Sequence, residues 1–158
     1  MNALVQRLRA ELRFDRDAFA KRVAELGSVD LGPASGPAPH AQAAVALHHA
    51  YGSIEAIMTR LARQLDGDLP AGADWHQSLL HVMGLAIEGV RPAVFSPESV
   101  RVLRELMSFR HFFRHAYAVD LDVGRLDTLR RRLIAAAPRL LAEIDALDRF
   151  LGVAAHDE

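Results

Sequence analysis

Residues 110 to 117 read Arg-His-Phe-Phe-Arg-His-Ala-Tyr, and this octapeptide sets a fixed cation, two imidazoles and a phenol around a pair of phenylalanines. Those groups can hold a phosphate and move a proton beside it. Arg110 is planar and permanently charged, suited to gripping two non-bridging phosphate oxygens at once. His115, with an ordinary imidazole pKa of about 6.5, is poised to accept a proton near neutral pH. His111 is placed to orient a backbone or shuttle a proton, Arg114 adds a second cation, and Tyr117 can position a substrate.

Helical geometry decides which of these groups can meet. Phe109, Phe112, Phe113 and Ala116 fall at i, i+3, i+4 and i+7 and form one apolar face that must turn into a core. Arg110, Arg114 and Tyr117 share one flank, whereas His111 and His115 share the other. Arg110 and His115 come out about 140° apart, so one unbroken helix cannot bring both to the same atom. Either the helix unwinds near His115, just before a turn at 118–122, or a second subunit completes the site.

The rest of the composition narrows the alternatives. The chain has 158 residues, 51% of them apolar and none of them cysteine, which predicts one domain with its own core and neither a disulfide framework nor a cysteine-based zinc site. His111 and His115 also stand at the i, i+4 spacing of metal ligands on a helix. No cysteine and no carboxylate at a helical neighbour position accompanies them, so no metal and no cofactor is expected. His48, His49, His76 and His81 read as individually satisfied polar residues. There is no nucleophile-elbow sequence and no glycine-rich phosphate loop. The formal charge of -1 argues against a general polyanion binder, yet nine arginines face four acids between Arg101 and Arg139. Arg130, Arg131 and Arg132 there are either a solvated helix face or part of an RNA-facing surface. Lys21 is the single lysine against 18 arginines, a usage typical of GC-rich genomes, which discounts part of the arginine excess. Charge interrupts the N-terminus before any signal-length apolar run, and no window approaches the roughly 18 apolar residues of a membrane span. A soluble, cytoplasmic chain with no membrane partner is expected.

Apolar residues recur at three and four along the chain, which predicts an all-α, up-down bundle of four to five helices. The first helix is expected over 2–26, with Leu4, Val5, Leu8, Leu12, Phe19, Val23 and Leu26 buried. A flexible Gly/Pro-rich loop is expected at 27–39 within the single domain 1–158. Helix two is placed at 40–65 around Leu47, Tyr51, Ile54, Ile57, Met58 and Leu61. Asp74 and Gln77 suggest a capping-box start for helix three, which Pro92 would end. Ser96-Pro97-Glu98 starts helix four, which runs to about Tyr117. Asp122 caps the last helix, carrying Leu126, Leu129, Leu133, Leu140, Leu141, Ile144 and Leu147.

The spacing Arg110-x4-His115-x-Tyr117 resembles the Arg-x4-His-x-Tyr signature of the HEPN superfamily, and in particular its HepT-like ribonuclease toxins. Asp74-Trp75-His76, Gly89-Val90-Arg91-Pro92, Phe95-Ser96-Pro97-Glu98 and the stretch Tyr117 to Asp122 are similar to a HepT-like branch as well. The resemblance implies a homodimer whose two motifs face each other across the interface. Such a cleft would cleave RNA without metal. His115 would take the proton of a ribose 2′-hydroxyl, the freed oxygen would attack the neighbouring phosphorus, and Arg110 would stabilise the growing charge. The products would be a 2′,3′-cyclic phosphate and a 5′-hydroxyl, and DNA would be spared. The resemblance also implies a nucleotidyltransferase antitoxin that attaches AMP to Tyr117, setting negative charge where RNA phosphate belongs. Two other readings stay open: a catalytically inactive HEPN dimer that binds or regulates a nucleotidyltransferase, and a helical regulator without nuclease chemistry.

Overall fold

A computed structural model describes the protein at residues 3–115 and 122–155, with the backbone alone at 112–115. Five α-helices follow one another: α1 (Ala3–Ser28), α2 (Pro37–Leu61), α3 (Trp75–Met83), α4 (Pro97–His115) and α5 (Val123–Ala154). They form an all-α bundle in which α1 lies against α2 and α5, while α4 lies against the same two helices from another side. The core is where the apolar periodicity places it. Leu8, Leu12, Phe19 and Leu26 of α1 meet Leu47, Tyr51, Ile54, Ile57, Met58 and Leu61 of α2 and Leu133, Leu140 and Ile144 of α5. Leu4, expected inside, is 52% exposed near the start of α1.

Neighbouring long helices run antiparallel, and their ion pairs show the register. Arg9 and Arg16 of α1 reach Asp148 and Asp145 of α5, each with a contact of 2.9 Å. Arg60 of α2 reaches back to Asp15 at 3.0 Å and Glu11 at 3.1 Å. No helix among the described residues is long and apolar enough to cross a membrane.

Helices α2 and α3 depart from expectation at their ends. α2 starts at Pro37 rather than 40, because proline loses nothing at a first turn whose N–H has no intrahelical partner. The chain from 29 to 36 closes through Gly32 N–H to the Asp30 carboxylate at 2.8 Å and Ser35 N–H to the Gly32 carbonyl at 2.9 Å. α2 passes at its C-terminal end into a π turn, Ala62–Asp66, which stops at Gly67 with φ 102°. α3 stops at Met83, well short of Pro92. Its start is uncapped by Asp74, whose ψ of 23° lies outside the extended region from which a side chain caps. The chain from 84 to 95 folds instead around Arg91, with Val94 and Phe95 N–H both donating to the Met83 carbonyl at 2.9 and 3.2 Å. The other two starts are as read: Ser96 Oγ accepts from Ser99 N–H at 3.3 Å, and Asp122 accepts from the N–H groups of Gly124 and Arg125.

Candidate functional site

α4 remains α-helical through His115. The unwinding that would let Arg110 and His115 converge therefore does not occur before His115, and their Cα positions stay about 140° apart around one axis. Arg110 faces α2, with its side chain 18% exposed. His111, the next residue, is exposed on α4. The side chains of Phe112, Phe113, Arg114 and His115, and Ala116 and Tyr117 altogether, lie outside the described residues.

Around Arg110 the structure gathers Tyr51 and Glu55 of α2 with Trp75 and His76 of α3. Glu55 of α2, 15% exposed, accepts a charge-assisted hydrogen bond from Arg110 Nη1 through Oε2. The same oxygen lies 3.2 Å from Nδ1 of His76 in the first turn of α3. Trp75 stacks on the His76 ring with centroids 3.6 Å apart and planes 29° apart, bracing it from one side. Tyr51, one helical turn before Glu55, lies beneath the guanidinium, whose carbon is 5.6 Å from the ring centroid, within cation–π range. Three helices thus converge on one carboxylate.

Polar groups inside this cluster are under-bonded. Arg110 Nε and the Tyr51 hydroxyl are both buried and have no hydrogen-bond partner among the described residues. Burial pushes the Tyr51 phenol well above its ordinary range, the Glu55 charge adds to the rise, and Arg110 partly opposes it. The phenol stays protonated at any working pH. The Tyr51 ring lies in the core, as its helical period predicts, whereas nothing in the local pattern marks Glu55 beyond its i, i+4 spacing from Tyr51 beside the apolar stripe of α2.

Among the described residues, four arginines of the basic stretch are engaged away from Arg110. Arg132 pairs with Glu105 at 2.7 Å and Arg131 with Asp127 at 2.9 Å, while Arg139 donates to Ser99 Oγ at 2.9 Å. Arg130 pairs with Asp127 and donates at 3.0 Å to the carbonyl of Leu26, near the C-terminal end of α1. Arg131 and Arg132 are solvated, whereas Arg130 is 15% exposed and holds a helix end. Among the described residues no three His, Cys, Asp or Glu side chains gather as a metal cage.

Residues 42–151 match the family model described as HepT-like protein. The chain belongs to the HepT-like family of HEPN proteins. The matched HepT-like segment takes in the Arg110 motif, the Glu55 cluster and most of α5, and leaves α1 outside it. No curated protein and no solved structure matches the chain.

Proposed function

We propose that this HepT-like protein is a metal-independent endoribonuclease, the toxin of a pair with a nucleotidyltransferase antitoxin. The observation that supports it is the state of Arg110: a motif arginine held at one nitrogen by Glu55, with the rest of its fork uncommitted among the described residues. His115 acts as base toward the ribose 2′-hydroxyl, and Arg110 stabilises the charge on the attacked phosphate. The departing 5′-oxygen leaves protonated, with His111 as the nearby shuttle. Because α4 is unbroken through His115, the two roles are filled across a two-fold dimer, Arg110 of one subunit working with the histidine of the other. Arg114 supports phosphate binding, and Tyr117 is the residue on which the antitoxin places AMP.

The test is cleavage of total RNA in EDTA by the parent and by His115→Ala. Cleavage that survives EDTA and disappears in His115→Ala supports the reading. Cleavage lost in EDTA and restored by zinc or manganese, or an active His115→Ala, overturns it. One observation favours a second reading, a catalytically inactive dimer that binds the nucleotidyltransferase: Glu55 neutralises the arginine that would face phosphate. In that case the parent cleaves nothing yet still forms a stable complex with its partner.

A further inference from the structure

We infer that Glu55 is a positioning residue for Arg110: with His76 it fixes one corner of the guanidinium so that the remaining fork is presented to a phosphate. The inference rests on the ribonuclease reading above and extends that site from α4 to α2 and α3.

Among the described residues Arg110 donates one hydrogen bond, to an atom 55 positions away in sequence, Glu55 Oε2. That oxygen is itself held, since Glu55 sits within the last two turns of α2 and shares the oxygen with His76 Nδ1 at 3.2 Å. The Tyr51 ring beneath the guanidinium limits tilting out of its plane. With Nη1 engaged, the edge formed by Nε and Nη2 makes no hydrogen bond among the described residues. Nε is buried, so the accessible part of the fork lies at its Nη2 end, and that end, held in place by Glu55 at Nη1, is what a phosphate oxygen meets.

Stability alone is a poor account of the arrangement. A largely buried ion pair is often replaceable by apolar residues without loss, because desolvation offsets its attraction. A buried Nε–H with no acceptor among the described residues adds a cost of about 1–3 kcal/mol. An unsatisfied buried polar group calls for an explanation, and a catalytic role is one of them. Holding the guanidinium in place before substrate arrives acts on the rate of the bound complex, since small misplacements of a reacting group cost up to about 100-fold.

The experiment is steady-state cleavage of an RNA oligonucleotide by the full-length parent, Glu55→Ala, Glu55→Gln and Arg110→Ala, together with the Glu55→Ala/Arg110→Ala double variant. Helicity is checked by circular dichroism. Glu55→Ala is expected to lower kcat by about 10- to 100-fold with KM within about threefold. Glu55→Gln, which keeps the acceptor and the shape, recovers most of the loss. Removing Glu55 after Arg110 changes nothing further, as expected for a residue that acts only through its neighbour. If Glu55→Ala does not fold, the comparison runs with Glu55→Gln, expected to lose a few-fold in kcat and nothing once Arg110 is gone. Unchanged kcat in Glu55→Ala, a Glu55→Gln as poor as Glu55→Ala, or equal losses with and without Arg110 overturns the positioning role alone. A parent that cleaves no RNA overturns the ribonuclease reading and the positioning role with it.

Discussion

Arg91 and Arg110 are both arginines paired with a carboxylate from the α2 arm, and the structure uses them in opposite ways. Arg91, whose side chain is 0% exposed, donates Nε and Nη2 to the two oxygens of Asp66, each at 2.7 Å. Its Nη1 donates to the carbonyls of Leu85 and Pro92 at 3.0 and 3.2 Å, and Nη2 also to that of Val82 at 3.3 Å. A guanidinium has five N–H groups, and these bonds engage the whole fork. Arg91 therefore fastens the 84–95 segment to the end of α2 and has nothing left to offer a ligand. Among the described residues Arg110 makes one hydrogen bond and keeps a buried Nε without a partner. A saturated guanidinium is architecture; a partly engaged one is held ready for another acceptor.

The largest effect should fall on the saturated arginine. Arg91→Ala strands a carboxylate that is 8% exposed and frees three carbonyls, so a loss of about 3–5 kcal/mol in urea unfolding is expected, the range for breaking a buried pair from one side. Arg110→Ala should cost less, about 2 kcal/mol, because His76 still stands within 3.2 Å of Glu55. Its consequence should appear in RNA cleavage instead, with a fall of about 100- to 1000-fold when a donor to the developing charge is removed. Equal stability losses at both positions would mean that saturation of the fork does not separate the two roles.

That contrast was only half legible in the sequence. The all-α bundle and its core could be read because Leu8, Leu12, Phe19, Leu47, Ile54 and Leu133 obey a helical period that only burial explains. The starts at Ser96 and Asp122 were legible because capping is local chemistry. Helix three was read too long because its limit comes from Arg91 and Asp66, separated by 25 positions, and no local pattern reveals that pair. The candidate site divides in the same way. The types and spacing of Arg110, His111, Arg114, His115 and Tyr117 point to phosphate chemistry, but Glu55, His76 and Tyr51 join Arg110 only through the packing of α2, α3 and α4. A glutamate on an amphipathic helix looks like any solvated acid until its partner is known.

A third arrangement of arginines sharpens the comparison at intermediate effect. Arg9 and Arg13 of α1 share the Asp148 carboxylate of α5, each with a contact of 2.9 Å. Burial raises the Asp148 carboxyl, but hydrogen bonds and charge from Arg9 and Arg13 outweigh it and hold the group below its ordinary value. A lowered folded-state pKa means that the stabilisation is full above the unfolded value and is lost as pH falls through the folded one. Urea midpoints of the parent and Asp148→Asn should therefore differ at pH 6 and draw together below about pH 4, where aspartate begins to protonate. A gap that stays constant down to pH 3 would show that these arginines hold Asp148 by shape rather than by charge.

The smallest effect tests whether the surroundings of Arg110 are under-bonded at all. The Tyr51 hydroxyl is fully buried, protonated and without a hydrogen-bond partner among the described residues, while its ring supports the guanidinium from below. Tyr51→Phe removes the stranded hydroxyl and keeps the ring, so it should raise stability by about 1 kcal/mol, the low end of the cost of leaving such a group unpaired. The sign matters more than the size. Urea unfolding should place the variant's midpoint above the parent's, with an unchanged slope. A midpoint below the parent's would mean that the hydroxyl has an acceptor in the folded protein. The under-bonding would then narrow to the buried Nε of Arg110, which alone would separate its fork from the saturated one of Arg91.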